Sequence, residues 1–286
     1  MRISNKQRIY SAFAGIIFAL LLVFGMIIPM KRGQAESTVA ASDVDIVIMG
    51  DSIYGLNRDE TSVAAELEKQ LEKKVYNGAL GGTCMGRLEN NRGKSHVKDA
   101  FSMVSLSKAI ASGDFRVQEH TKMTENGTEY FPETIAVLKD IDFSEVEILM
   151  ISHCVNDYHD GELLASDMAY DEYTFAGALR STIVMLRKAY PELRIILLTP
   201  PYTWYTQIGL TCEEYVRGGN ILEDYIDVQY AVAEEMDVEL IDLYHDLFPH
   251  DTWEDWQIYS ADGLHPNEEG RKLLAGKIAE YLKNEK

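Results

Sequence analysis

Basic residues are scarce in this sequence, because Lys and Arg total 27 against 46 Asp and Glu, a formal net charge of −19. Residues 1–32 contain five of the basic residues and no acidic one, so the rest of the chain is still more acidic. Affinity for a nucleic-acid backbone rests on Lys and Arg side chains that displace counterions from phosphates. The composition therefore excludes nucleic acid as a partner.

Cysteine is also rare, and Cys84, Cys154 and Cys212 have no metal-binding spacing. An odd and low count excludes a disulfide framework, although it leaves a single bridge open. The seven histidines include no His-Glu-x-x-His pattern and no other close cluster of ligand residues. We therefore predict neither a metal ion nor another cofactor.

Long apolar runs are missing except near the N-terminus, where residues 9–30 (IYSAFAGIIFALLLVFGMIIPM) carry no charge. A helix that crosses a membrane needs about 20 such residues. We predict a membrane anchor or uncleaved signal at residues 1–32, a polar linker at 33–42 and one domain at 43–286. A secretory signal that is cut near residues 39–41 is the alternative. Both place the domain outside the cell membrane, either as a single-pass protein or as a secreted one.

Beyond the linker, short apolar runs alternate with helical patterns. Short apolar runs, several of them rich in β-branched residues, predict buried strands, and apolar residues that recur every three or four positions predict helices. The predicted strands span residues 43–49, 75–80, 147–152, 194–199 and 238–243. The predicted helices span residues 61–74, 100–110, 133–138, 173–190, 221–236 and 268–282. This alternation predicts an α/β fold, a three-layer α/β/α sandwich with a parallel, flavodoxin-like five-stranded sheet.

Four groups of polar and small residues lie at strand ends or before the last helix. They are Gly50-Asp51-Ser52, residues 77–83, Cys154-Val155-Asn156-Asp157 and residues 262–267. Taken singly, each is also common turn chemistry. In a parallel sheet, however, ligands bind beyond the carboxyl ends of the strands. A serine, flexible glycines, an amide and an Asp/His pair at one such edge predict a catalytic site.

Together these groups resemble the sequence blocks of the SGNH/GDSL hydrolase superfamily. Ser52 falls in the first block, Gly82 in the second, Asn156 in the third, and Asp262 and His265 in the last. The resemblance implies an ester hydrolase with a catalytic triad of Ser52, His265 and Asp262. It also implies an oxyanion hole made by the backbone N–H groups of Ser52 and Gly82 and the side-chain amide of Asn156.

The chemistry of these side chains suits that assignment. A serine hydroxyl attacks an ester only when a neighbouring base takes its proton. Imidazole titrates near neutrality, so His265 fits the role of base, and Asp262 can orient the ring and stabilise the imidazolium. The implied intermediate is an acyl-enzyme on Ser52. We interpret Asp51 and Asp157 as turn or supporting residues.

Two residues next to Asn156 need separate interpretation. Cys154 stands where the family usually has glycine, and we expect a small buried side chain that leaves Asn156 in place. His153 precedes it and is interpreted as a hydrogen-bonded structural residue, although it can also face the site.

Three functions fit the sequence. The first is an extracytoplasmic serine esterase that removes O-acetyl or other short acyl groups from carbohydrate, either a small molecule or a polysaccharide. The second is a membrane-anchored O-acyltransferase acting on an envelope polymer, and the third is a non-catalytic glycan-binding module. Aromatic residues after the fourth strand or before the last loop either contact the substrate or belong to the core: Tyr202, Trp204, Tyr205, Trp253 and Trp256.

Overall fold

The computed structural model describes residues 43–88, 97–124 and 127–284. The predicted anchor at residues 1–32, with its apolar segment at 9–30, lies outside these residues, and so does the linker at 33–42. Among the helices of the described part, none is long and apolar enough to cross a membrane.

Strands and helices alternate along the described chain. The strands are β1 (Ile46–Gly50), β2 (Val75–Asn77), β3 (Ile148–Ser152), β4 (Arg194–Leu198), β5 (Trp204–Tyr205), β6 (Leu210–Thr211) and β7 (Glu239–Ile241). The helices are α1 (Ser52–Gly55), α2 (Val63–Leu71), α3 (Met103–Ser112), α4 (Arg116–His120), α5 (Phe131–Asp140), α6 (Val155–Asp160), α7 (Phe175–Ala189), α8 (Leu222–Met236), α9 (Trp256–Tyr259) and α10 (Glu268–Asn284). Short 3₁₀ segments cover Lys98–Phe101 and Trp253–Asp255.

The predicted five-stranded parallel sheet is confirmed. Its strand order is β2-β1-β3-β4-β7, the flavodoxin-like order, and every neighbouring pair is parallel. In the register of the sheet, Ile46 of β1 lies beside Val75 of β2 and Ile148 of β3. All residues of β1 and β3 are buried, as expected for central strands with helices on both faces.

Amphipathic helices supply the layers on the sheet. Helix α2 packs against α10, and α7 packs against α3 and α8. Val63 and Leu67, four residues apart on α2, are both buried, while Ser62 caps the helix by accepting the N–H of Ala65 at 3.2 Å. The six predicted helices correspond to α2, α3, α5, α7, α8 and α10.

The carboxyl ends of β1 and β3 define the edge where the site lies. The strand order reverses at β1, which has β2 on one side and β3 on the other, and ligands of such sheets bind beyond the carboxyl ends of the strands at this point. The small hairpin β5–β6 follows β4 and is antiparallel. The N–H of Trp204 donates to the carbonyl of Gly263 at 2.8 Å, which ties this hairpin to the loop before α10.

Candidate active site

Ser52 lies directly beyond β1, at the first position of helix α1. Asp51 caps this helix, since its Oδ1 accepts the N–H of Ile53 at 3.0 Å. Asp51 is buried, whereas Ser52 is partly exposed. The turn from strand to helix therefore holds the serine hydroxyl at the edge of the sheet.

His265 and Asp262 occupy the loop before α10 and meet Ser52 there. His265 Nδ1 lies 2.7 Å from Asp262 Oδ2, and His265 Nε2 lies 3.0 Å from Ser52 Oγ. If Nδ1 carries the proton that Asp262 accepts, Nε2 of the neutral ring is free to accept the serine proton. The structure thus brings together the three side chains that the sequence singled out.

The Asp262 carboxylate is fixed in its ionised form. Burial acts to raise its pKa, but the hydrogen bond and the charge of the His265 ring, with the backbone N–H groups of His265 and Leu264, lower it to about 2. Those two N–H groups donate to Oδ1 at 2.8 and 2.9 Å, which leaves Oδ2 for the ring. The carboxylate can therefore orient the imidazole without taking its proton.

Gly82 lies in the loop after β2 and Asn156 in the first turn of α6, and a hydrogen bond joins these two segments. The Asn156 side-chain amide donates to the carbonyl of Thr83 at 3.0 Å. Gly82 has φ +74°, and no atom lies within 4 Å of the position that a Cβ would take. The loop after β2 is therefore open on the side of Gly82, where a substrate oxygen can approach its backbone closely.

Asp157, the buried neighbour of Asn156 in α6, also joins this helix to the segment after β2. The Asp157 carboxylate accepts the N–H groups of Met85 and Gly86 at 2.8 and 3.0 Å. Burial raises its pKa to about 8, although these two hydrogen bonds oppose the shift. Asp157 therefore braces the segment that follows Thr83, in agreement with its interpretation as a supporting residue.

His153 is a structural residue. It is buried, and its Nε2 lies 3.1 Å from the hydroxyl of Thr83, which in turn donates to the carbonyl of Leu80 at 2.7 Å. Burial lowers the pKa of His153 to about 3, so the ring is neutral at physiological pH. The buried position gives no support to the alternative that His153 faces the site.

Cys154 fits the position where the family usually has glycine. Its φ of −175° lies outside the left-handed region that favours glycine. Its side chain is buried, and burial raises the thiol pKa well above its ordinary value, with the charges of Asp157 and Asp51 adding to this effect. All three cysteines are free and buried, so no disulfide bridge joins any two of them.

The aromatic residues divide into two groups. Tyr202, Trp204 and Tyr205 are 3%, 2% and 5% exposed, so of the two alternatives the structure selects the core for these three. Trp253 and Trp256 remain partly exposed and pack against the core from the segment before Asp262. Among the described residues, no three His, Cys, Asp or Glu side chains converge in a way that could hold a metal ion.

One residue of the site was missed by the sequence analysis. Tyr130 lies between β2 and β3, directly before α5, and its hydroxyl accepts the N–H of Gly81 at 2.7 Å. No motif surrounds it in the sequence. The only available signal was the length of the chain between Thr83 and Val146, which exceeds what a simple crossover needs.

A serine hydroxyl hydrogen-bonded to a histidine that a carboxylate orients is the arrangement of a hydrolase with an activated serine. The sequence profile of the GDSL-like lipase/acylhydrolase family matches residues 48–273, and the chain belongs to this family. This is a family of enzymes that cleave ester bonds, and the membership that the sequence motifs predicted is confirmed.

Individual relatives are distant. A GDSL esterase/lipase from Arabidopsis thaliana is 30% identical over 113 residues, which cover 37% of this chain and just under half, 46%, of that protein. A solved structure from Lactobacillus plantarum matches with a TM-score of 0.62 at 19% identity, over 86% of this chain and 99% of that one. A carbohydrate acetylesterase from Sinorhizobium meliloti matches with a TM-score of 0.52 at 14% identity, over 84% and 98% of the two chains. At such identities the two structures show a shared fold.

Proposed function

We propose that this protein is a serine esterase that removes O-acetyl or other short acyl groups from carbohydrate through an acyl-enzyme on Ser52. The observation that carries the proposal is the continuous path from Asp262 Oδ2 through the His265 ring to Ser52 Oγ, with steps of 2.7 and 3.0 Å. This path can take a proton from the serine and return it to a leaving group.

The reaction has two halves. In the first, His265 Nε2 takes the Ser52 proton while Oγ bonds to the ester carbonyl carbon, and the carbonyl oxygen becomes an oxyanion. The N–H groups of Ser52 and Gly82 and the Asn156 amide stabilise that oxyanion, and each such donor contributes about 2.7–4 kcal/mol. The tetrahedral intermediate then expels the sugar oxygen, which receives the proton from His265. In the second half, water repeats these steps on the acyl-enzyme and releases the free acid.

The solvent exposure of the catalytic side chains favours a large substrate that carries a short acyl group. The Asp262 side chain is 51% exposed, and His265 is partly exposed beside it. Cavities of about 380 and 320 Å³ occur elsewhere in the described part of the domain, and neither contains Ser52, Asp262 or His265. The partly exposed faces of Trp253 and Trp256 offer apolar surfaces on which sugar rings can stack. The shared fold with a carbohydrate acetylesterase agrees with this choice.

We further propose that the domain works outside the cell membrane. The support is the uncharged segment at residues 9–30, with basic residues on both flanks, because a span or signal of this kind exports the chain that follows it.

Hydrolysis of model esters by the purified full-length chain tests the chemistry. We expect p-nitrophenyl acetate to be cleaved, p-nitrophenyl palmitate to be a poor substrate, and acetate to be released from an O-acetylated polysaccharide. Ser52→Ala abolishes all turnover, whereas Ser144→Ala, an exposed serine before the amino end of β3 and so at the opposite edge of the sheet, leaves it unchanged.

Three outcomes would contradict parts of the proposal. Equal turnover by Ser52→Ala and the parent would exclude Ser52 as the nucleophile. A preference for palmitate over acetate would exclude the short acyl group. Appearance of the acyl group on an added sugar acceptor, instead of as free acid, would identify a transferase.

A further inference from the structure

Tyr130 reaches the candidate active site from the long segment between β2 and β3. Its hydroxyl oxygen accepts the N–H of Gly81 at 2.7 Å. Gly81 is the residue before Gly82, and a Cβ on Gly81 would lie 3.6 Å from the Cβ of Ser52. The phenol therefore contacts the loop that carries a proposed oxyanion donor, next to the proposed nucleophile.

Two glycines keep open the gap that this hydroxyl fills. A Cβ on Gly55, at the end of α1, would lie only 2.8 Å from Tyr130 Oη, and a Cβ on Gly81 would lie 3.2 Å from the same atom. Real Cβ atoms essentially never come within 3.0 Å of a heavy atom to which they are not bonded. The phenol thus lies between the helix that begins at Ser52 and the loop that contains Gly82.

Arg58 holds the ring of Tyr130 in this place. Its guanidinium carbon lies 4.7 Å from the centre of the ring, a cation–π contact. The same guanidinium donates to the carbonyl of Ala79 at 3.1 Å and to that of Asn77. The Arg58 guanidinium therefore contacts both the Tyr130 ring and the loop after β2, and holds them together.

The peptide of Gly81 and Gly82 needs such a restraint. Glycine populates positive and negative φ about equally, and two in sequence give a loop with many conformations. An N–H donor stabilises an oxyanion well only when it is aimed in advance and needs no reorganisation during the reaction. A hydrogen bond at the N–H of Gly81 limits rotation about its backbone, and with it the direction of the next N–H.

We propose that Tyr130 is a positioning residue, whose hydroxyl orients the Gly81–Gly82 peptide so that the Gly82 N–H points at the oxyanion. The inference rests on the proposed function, in which Gly82 is an oxyanion donor. Tyr130 itself forms no bond to the reacting atoms in this scheme. It acts before the reaction, by holding the donor in its productive direction.

Tyr130→Phe tests the inference, since it removes the acceptor for Gly81 and keeps the ring over Arg58. We expect kcat for p-nitrophenyl acetate to fall by about 10- to 100-fold, as for a small misplacement of a catalytic group, and KM to change less than about twofold. An aryl boronic acid, which forms a tetrahedral anion on the serine, should bind weaker by a similar factor.

Tyr190→Phe is the matched control. The Tyr190 hydroxyl donates to the carbonyl of Ile110 at 2.8 Å, at the far ends of α7 and α3, so its loss also removes one hydrogen bond to the backbone. We expect this variant to keep the parental kcat and boronate affinity. Thermal unfolding of both variants reports their general stability.

The possible failures are distinguishable. If the parent binds the boronic acid and Ser52→Ala does not, while Tyr130→Phe keeps the parental kcat and boronate affinity, the inference alone is wrong. A rise in KM without a fall in kcat also overturns it, because that pattern marks a loss of substrate binding. If Ser52→Ala binds the boronic acid as the parent does, the proposed function is wrong and the inference fails with it.

Discussion

The carboxylate of Asp242 holds His245 in the same way as Asp262 holds His265. The backbone N–H of His245 donates to Asp242 Oδ1 at 3.1 Å, and its Nδ1 lies 2.8 Å from Oδ2. Both pairs have the spacing Asp-x-x-His, so the sequence builds the same local unit twice. They differ in what the other ring nitrogen meets: Nε2 of His245 lies 3.8 Å from a carboxylate oxygen of Glu223.

This duplication provides an internal control for the proposed base. We expect His265→Ala to lower kcat for p-nitrophenyl acetate by about 10⁴-fold or more, as removal of a triad member does. His245→Ala removes an equally oriented imidazole that has no serine beside it, and should leave kcat within about twofold. Equal losses in the two variants would mean that His265 acts on stability and not on the reaction.

Gly263 couples the loop of His265 to the hairpin β5–β6. It has φ +96°, and a Cβ there would lie 2.3 Å from the carbonyl oxygen of Trp204. Gly263→Ala must therefore move the backbone between Asp262 and His265, and we expect kcat to fall by about 100-fold. Assays of kcat measure the effect on the reaction, and unfolding in urea measures the effect on stability.

Gly113→Ala is the comparison for that variant. Gly113 has φ +68° at the end of α3, with no atom within 4 Å of the added Cβ. The Gly113→Ala variant should lose about 1–2 kcal/mol of unfolding free energy, because alanine is strained in the left-handed backbone conformation. It should keep the parental kcat. Gly263→Ala should lose more. A parental kcat in Gly263→Ala would show that the position of this loop does not limit the reaction.

Asp51 makes stability depend on pH. Burial raises its pKa to about 6, against the opposing effects of the Ile53 N–H and the charge of His265. The folded state thus keeps a proton that the unfolded state releases near its ordinary pKa of 3.8. The resulting stabilisation is complete below that value and is lost as pH rises through about 6, by about 3 kcal/mol.

Asp51→Asn tests this contribution, because asparagine also caps helices but does not titrate. Unfolding free energies of parent and variant, measured between pH 4 and pH 7.5, give the difference directly. The parent should lose more stability than the variant across this range. Parallel curves would show that Asp51 is already ionised at pH 4.

Much of the fold was predictable because its signals are local. β1 and β3 are uncharged, β-branched and buried, and α2, α7 and α10 repeat apolar residues at helical spacing. The elements that were missed are short: α1 has four residues, and each strand of the hairpin β5–β6 has two. Segments of this length hold no periodicity, and neighbouring elements determine their conformation.

The candidate site was predicted from its motifs, and the surroundings were not. Ser52, His265 and Asp262 form one hydrogen-bonded chain, and the assignment of Gly82 and Asn156 to the oxyanion hole stays a prediction. For Tyr202 and Tyr205 the sequence left substrate contact and burial in the core as alternatives, because their burial depends on packing between segments distant in sequence. The role of Tyr130 depends on a gap beside two glycines, and no pattern in the sequence predicts this arrangement.

The sequence by itself determined the alternation of strands and helices, the turn chemistry at their ends and the local pairing of His245 and His265 with the aspartate three residues before each. These features depend on neighbours within one turn of chain. Only the tertiary structure decided which pair meets a serine. Ser52 and His265 are 213 residues apart, and their 3.0 Å contact exists because the sheet places the end of β1 beside the loop before α10.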